Sequence, residues 1–133
     1  MTTEALLAQV DGFLARKEDR SLKSLLLRSN AQDIVQVIDK LEHGKRKVFA
    51  LLPPEVQAAV AVLLPEGDAE YVFRRLPEHV TARFLHFNDE DDATDILQQL
   101  PETQRQKVLR HIPDNKRKKI EKLLTFGEET AGG

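Results

Sequence analysis

Residues 52–66 read LPPEVQAAVAVLLPE, with one Leu-Pro pair at each end. Apolar residues between the pairs follow the i, i+3, i+4 spacing of one helix face, namely Val56, Ala59, Val60, Leu63 and Leu64. Pro in the first turn of a helix costs no hydrogen bond, and the Glu after it complements the positive end of the helix dipole. The stretch therefore predicts a short helix over 54–64 between two turns.

The same punctuation recurs along the chain. Leu-Pro or Ile-Pro pairs begin at positions 52, 64, 76, 100 and 112, so the successive steps are 12, 12, 24 and 12 residues. A step of about 12 residues is the length of one short helix with its turn. Self-similarity of this kind is typical of a helical solenoid or superhelix, in which short helices are stable only when they stack on their neighbours.

Helical periodicity also covers the rest of the chain. The further predicted helices are Thr3–Arg16, Ser21–Leu27, Ala31–Leu41, Lys45–Leu52, Glu66–Leu76, Glu90–Leu100 and Glu102–Ile112. Ser29 and Asn30 supply capping side chains for the third of these helices, and Gly44 marks a break. No segment alternates polar and apolar residues, so we predict an all-α, solenoid-like fold of about ten short helices, with helices in 1–28 and superhelix repeats in 29–124 forming one domain.

Composition limits the classes of function. The 133 residues include 20 Lys and Arg against 22 Asp and Glu, a net charge of −2 that provides no overall attraction to nucleic acid or to an anionic membrane. The chain has no Cys, so thiolate metal sites are excluded. The longest apolar run, 58–64, is far shorter than the roughly 20 residues that span a bilayer.

An acidic segment stands where the repeat skips a step. Residues 88–97 read NDEDDATDIL and contain five acids without a base: Asp89, Glu90, Asp91, Asp92 and Asp95. If Asn88 or Asp89 caps a helix that starts near Glu90, Asp91 and Asp95 share one face and Asp92 lies beside it. Apolar residues such as Ala93 take the opposite face.

Two explanations of this acidic segment remain open from the residues alone. Like charges one turn apart repel by a few tenths of a kcal/mol per pair, and Mg²⁺ or Ca²⁺ would relieve that repulsion through carboxylate ligands. One helix offers only one or two ligands, so water or a partner surface would complete the shell. Alternatively, the helix dipole alone favours acids in a first turn, and Asp89 with Asp92 resembles a capping box. An EF-hand is excluded, because Thr94 and Leu100 replace its essential Gly and Glu.

A basic segment follows near the C-terminus. Within Thr103–Leu124 there are eight Lys or Arg residues against two acids, including the run Lys116–Lys119. The run is typical either of contact with an acidic partner, membrane surface or nucleic acid, or of a solvated helix face; the scarcity of aromatic residues favours the solvated face. Four scattered histidines, His43, His79, His86 and His111, show no paired metal spacing, and no nucleophile or phosphate-loop motif is present, so we do not expect an enzyme.

Several stretches together resemble the cytosolic N-terminal domain of the MgtE family of magnesium transporters. Residues 29–35, SNAQDIV, resemble that family's His-Pro-x-Asp-hydrophobic helix start, and the Leu-Pro repeats resemble its superhelix. Residues 91–97, DDATDIL, match an Asp-Asp-x-x-Asp-hydrophobic-Leu motif. Residues 123–132, LLTFGEETAG, resemble the family's junction into paired CBS domains, so we expect 125–133 to begin a linker toward a CBS module.

The resemblance implies a right-handed superhelix and a regulatory role. Family members are homodimeric channels in which intracellular Mg²⁺ bridges the N-domain to the CBS domains of the same polypeptide or its dimer mate and favours a closed pore. It implies Asp91 and Asp95 as Mg²⁺ ligands, with Asp92 as a water-mediated contributor, in a weak and incomplete site. The domain would lie on the cytoplasmic side of the membrane, without a span or nucleic-acid binding of its own.

One departure and two alternatives accompany this interpretation. Some family members carry a further acidic ligand on the helix that corresponds to 54–64, but Ala58, Ala59 and Val60 occupy its middle here. A metal-independent interaction scaffold, similar to the helical superhelices of flagellar motor switch proteins, is the first alternative. A nucleic-acid or membrane-surface binder that uses Lys116–Lys119 is the second.

Overall fold

The computed structural model describes the backbone of residues 2–132 and the side chains of residues 2–125. Within this range the chain forms ten helices and no strand. They are α1 (Thr3–Arg16), α2 (Asp19–Leu27), α3 (Ala31–Lys40), α4 (Lys45–Leu51), α5 (Pro54–Leu63), α6 (Glu66–Phe73), α7 (Glu78–Leu85), α8 (Glu90–Gln98), α9 (Glu102–Leu109) and α10 (Asp114–Gly132). The predicted all-α class and the run of about ten short helices are confirmed. Residues 126–133 of the predicted linker in 125–133 lie outside the residues whose side chains the structure describes, and the linker stays a prediction.

The helices begin where the sequence supplies caps. Asn30 Oδ1 accepts the Asp33 N–H at 2.8 Å, which confirms the capping residue predicted for α3. Pro53, Pro77 and Pro101 hold extended backbone at the N-caps of α5, α7 and α9. Gly44 precedes α4 with φ +87°, and a Cβ there would lie 2.9 Å from Leu14 Cδ1, so this turn requires glycine.

The chain divides into two compact units, Met1–Val72 and Phe73–Gly133. In the first unit α3 is central and packs against α1, α4 and α5. Its predicted stripe is fully confirmed, since Ile34, Val37 and Ile38 are completely buried and Leu41 is nearly so. Phe49 of α4 and Leu22 of α2 are also completely buried.

In the second unit, α7 packs against α9, and α8 packs against α10. Each helix thus packs against the next but one in the chain, as expected when short helices stack within a unit. The Phe73 and Phe84 rings meet at 5.9 Å between centroids, in a tilted arrangement. Leu85, Leu97 and Ile120 are completely buried.

The predicted buried face of α5 is wrong in part. Leu63 is 45% exposed and Ala59 is also exposed, whereas Gln57, Ala58, Val60 and Ala61 are buried. The helix is apolar nearly all round, so apolar spacing could not select one face. A polar contact inside the unit accompanies the observed face, because the Gln57 side-chain amide donates to the Phe49 carbonyl at 3.0 Å.

Among the described residues, no helix combines the length and the apolar character needed to cross a bilayer.

Candidate metal site on the acidic helix

Helix α8 starts at Glu90 because Asp89 caps it. Asp89 has extended backbone, and its Oδ1 accepts the Asp92 N–H at 2.8 Å. Three further N–H groups in the first turn have no intrahelical acceptor, so they add positive potential there. One of the two predicted capping residues, Asp89, is thus the N-cap.

The apolar side of α8 fixes the direction of its acids. Ala93, Ile96 and Leu97 are buried, and α8 packs on α10 through this side. Thr94 is also buried, and its hydroxyl donates to the Glu90 carbonyl at 2.6 Å, so its polar group is satisfied inside the helix. Asp91 and Asp95 lie on the exposed side, as their spacing predicts.

The five acids divide into groups with different surroundings. The Asp89 carboxylate is engaged as the cap. Glu90 Oε1 lies 3.7 Å from Lys119 Nζ. Asp91 and Asp95 are exposed, and neither forms an ion pair with any residue whose side chain the structure describes. These two carboxylates are therefore the ones accessible to a cation from solvent.

Repulsion within the acidic cluster affects the pKa of Asp92. Its side chain is half-buried. Loss of hydration raises the pKa of the Asp92 carboxyl above its ordinary value, and the negative charges of Asp89, Asp95 and Asp91 raise it further. A proton or a cation at this surface would reduce that repulsion.

The acids do not form an enclosed metal site. Among residues 2–125, no group of three or more His, Asp or Glu side chains is arranged to hold a metal ion. The predicted ligands Asp91, Asp95 and Asp92 lie on one helix, so they can approach an ion from one side only. Carboxylate oxygens suit Mg²⁺ chemically, and the rest of its octahedral shell would come from water or from another surface.

Lys116 has a role that the basic run did not reveal. Its ammonium donates to the carbonyl oxygens of Leu85 at 2.8 Å and His86 at 3.1 Å, and also to that of Asn88. Burial lowers the pKa of Lys116, and the charges of Glu90 and Asp89 oppose that shift. The spacing of Lys116 to Ile120 and Leu124 is the signal that could have placed it on the buried stripe of α10.

The remainder of Lys116–Lys119 is also partly engaged. Arg117 pairs with Asp114 through one amino group, and its Nε lies 3.5 Å from Glu121 Oε1. Lys118 and Lys119 are exposed. The run is therefore not a uniform basic patch, because Lys116, Arg117 and Lys119 each contact a group of this chain.

A carboxylate pair in the first unit was not predicted. Lys45 Nζ donates to Asp68 Oδ1 at 2.7 Å and to the Asp39 carbonyl at 3.0 Å. A side-chain hydrogen bond with Asp68 raises the pKa of Asp39; burial and the charge of Asp68 act in the same direction, while Lys45 and Lys40 oppose them. Asp68 is far from both Asp39 and Lys45 in sequence, so no local spacing could have predicted its contact with them.

The histidines show no arrangement for catalysis or metal binding among the described residues. His43, His79, His86 and His111 are all exposed. The His86 ring makes an edge contact with Phe87, with 5.3 Å between centroids. None belongs to a cluster of potential metal ligands within the described side chains.

The sequence and the fold were both compared with those of known proteins. The family model for the MgtE intracellular N domain matches residues 29–129. A solved structure titled as the soluble part of a magnesium transporter is similar, with a TM-score of 0.76 and 20% sequence identity over 92% of this chain. The chain spans 49% of the length of that structure. No curated protein matches the sequence.

The family match extends over most of the chain and includes the caps of α3 and α8, the Leu-Pro repeat and the acidic helix. The chain belongs to the family of MgtE intracellular N domains.

Proposed function

We propose that this chain is a regulatory, Mg²⁺-sensing domain of a magnesium transporter, located on the cytoplasmic side of the membrane. Asp91 and Asp95 supply its ligands, and Asp92 contributes through water. The observation that carries the proposal is the exposed pair Asp91 and Asp95 beside the half-buried, charge-repelled Asp92, on the acidic helix of an MgtE N domain.

Electrostatic repulsion gives this surface its dependence on Mg²⁺. In the absence of a cation, carboxylates one turn apart repel, and a facing acidic surface would add to that repulsion. When Mg²⁺ is plentiful, the ion bridges α8 to the CBS domains of the same polypeptide or its dimer mate, and the closed pore is favoured. When Mg²⁺ is scarce, the acidic surfaces separate and the pore opens. The proposal includes no catalytic step.

The predicted affinity for Mg²⁺ is low. Mg²⁺ requires near-ideal octahedral geometry and gives up its water reluctantly. A single exposed helix face supplies few ligands and orders its side chains poorly, so most of the shell remains water. Mg²⁺ would bind tightly enough for regulation only when a second surface supplies further ligands. Binding of the ion and contact between the domains would therefore strengthen each other.

The test uses a full-length homodimeric transporter that carries this domain. Asp91→Ala with Asp95→Ala should leave the pore open at Mg²⁺ concentrations that close the parent, as measured by ion flux or by single-channel recording. Glu4→Gln with Asp11→Asn is the matched control, because it also removes two exposed acids. Unchanged closure in the α8 variant would refute the gating role and would favour the metal-independent scaffold.

A further inference from the structure

We infer that Lys116 is the residue that positions the acidic helix α8 against α10, by holding the α7–α8 connection through three carbonyl groups. The inference rests on the proposed function in one respect only: it gives Asp91 and Asp95 a fixed direction in which to meet an ion. The contacts themselves are independent of any ion.

Three carbonyls between the last residue of α7 and the start of α8 bind the Lys116 ammonium. An ammonium has three N–H donors, and the carbonyls of Leu85, His86 and Asn88 provide three acceptors. Leu85 is the last residue of α7, and its carbonyl also accepts the Asn88 N–H at 3.1 Å. Carbonyls at the C-terminus of a helix carry partial negative charge, so a cation there is favourable. Asn88 is the residue directly before the Asp89 cap, so the ammonium binds the segment from which α8 starts.

Lys116 also belongs to the face of α10 that packs on α8. Ile120 and Leu124 follow it at intervals of four residues and are buried. The aliphatic stem of Lys116 thus extends the buried stripe by one turn toward the α10 N-terminus, and its charged end reaches the α7–α8 connection. Apolar packing fixes the middle of α8, and Lys116 fixes its beginning.

The neighbouring Lys119 cannot replace this contact. Its ammonium lies 3.7 Å from Glu90 Oε1, and the two side chains are 69% and 38% exposed. Exposed pairs of this kind contribute little and are screened by salt. Without Lys116, the start of α8 would depend on the Asp89 cap and on this weak pair.

Two variants of Lys116 and one control variant separate positioning from charge. Lys116→Met retains most of the unbranched stem and removes the ammonium, while Lys118→Met removes one positive charge from an exposed site on the same helix. Lys116→Arg keeps the charge but replaces three rotatable donors with a rigid planar fork. It serves as the second variant if the Met variant is too unstable to study.

Amide hydrogen exchange in Mg²⁺-free buffer tests the inference on the whole chain. Lys116→Met should accelerate exchange of the Asp92 and Ala93 amides, whose acceptors belong to Asp89, by about tenfold or more relative to α9 amides. Lys116→Arg should accelerate the same amides to a smaller extent, and Lys118→Met should leave them unchanged. Exchange that is unchanged, or that rises equally throughout the second unit, would overturn the inference.

The outcome of the exchange experiment is independent of whether the proposed Mg²⁺-sensing function is correct. Because no Mg²⁺ is present, local acceleration in Lys116→Met supports positioning even if Asp91 and Asp95 prove indifferent to Mg²⁺. Conversely, a Mg²⁺ response in the parent chain with no local acceleration in the variant would retain the proposed function and remove Lys116 from it.

Discussion

At the residue scale, Asp39 and Asp68 place two carboxylates together beside one cation. Asp68 Oδ1 accepts from Lys45, while Asp68 Oδ2 is buried and accepts no hydrogen bond among the described residues. The hydrogen bond that a protonated Asp39 would donate to Asp68 is the largest cause of the raised pKa of Asp39. A proton on Asp39 would therefore give Asp68 a donor that the fully charged pair lacks.

This pair predicts a pH dependence of stability. The folded-state pKa of Asp39 is raised above the ordinary value of 3.8, so the folded chain binds this proton more tightly than the unfolded chain does. The contribution of Asp39 to the free energy of unfolding therefore decreases as pH rises from 3.8 through the raised pKa, and it is lowest at neutral pH. Asp39→Asn replaces the shared proton with a permanent N–H donor.

We expect Asp39→Asn to raise the thermal midpoint at pH 7 and to lose that advantage as pH falls toward 3.8, as measured by circular dichroism. Glu42→Gln is the control, because it removes an exposed acid close by in sequence. A gain in the control equal to that in Asp39→Asn would show that general charge, rather than this pair, is responsible.

A second residue-scale prediction concerns Thr81, which is completely buried. Its hydroxyl has no hydrogen-bond partner among the described residues. Thr81→Val has the same shape and removes the unsatisfied polar group, so it should raise the free energy of unfolding by about 1 kcal/mol in urea denaturation.

Thr94→Val is the matched control for Thr81→Val. Thr94 is buried in α8, and its hydroxyl donates to the Glu90 carbonyl. Its replacement should bring no gain, because the removed group is satisfied. If both variants gained equally, hydrophobicity alone would explain the result.

At the element scale, Asp89 serves α8 both as a cap and as a charge. Asp89→Ala removes the acceptor for the Asp92 N–H and should cost about 1 kcal/mol of stability. Asp89→Asn retains an acceptor oxygen, so stability should be almost unchanged. Chemical denaturation of both variants measures the difference, and equal losses would contradict the capping role.

The same pair of variants tests the charge of Asp89. Burial is the largest cause of the raised pKa of Asp92, and the charge of Asp89 is the second. Asp89→Asn should therefore lower the Asp92 pKa toward 3.8 without restoring it fully, in a ¹³C NMR titration of the carboxyl group. No movement of that pKa would show that the charge of Asp89 does not contribute to it.

Individual helices show how far the sequence could be interpreted at this scale. The predicted α1 has the observed bounds, since its cap and its spacing agree, and the predicted α3 stripe is buried throughout. In α5 the prediction selected a face with exposed Leu63, because apolar residues surround the helix and the buried Gln57 looks polar in sequence. Local spacing identifies a helix well, but only its tertiary contacts select the buried face.

At the scale of the whole molecule, what could be predicted depended on sequence distance. The acids of α8 are adjacent in sequence, so their shared face followed from helical spacing. Lys116 reaches the end of α7, and Lys45 brings Asp68 to Asp39; both contacts join different helices. The spacing of Lys116 to Ile120 and Leu124 could place it on the buried stripe of α10, but the carbonyl groups that it contacts could be identified only in the folded chain.

The central claim is that α8 provides an incomplete Mg²⁺ site, and titration of the chain with Mg²⁺ tests it most directly. The carboxyl ¹³C resonances of Asp91 and Asp95 should shift as Mg²⁺ is added, and the shift should saturate at millimolar Mg²⁺. Asp91→Asn with Asp95→Asn should abolish the response at α8, while Glu4→Gln with Asp11→Asn should preserve it. Resonances that stay unchanged at millimolar Mg²⁺, or submicromolar binding of Mg²⁺ by calorimetry, would contradict the claim.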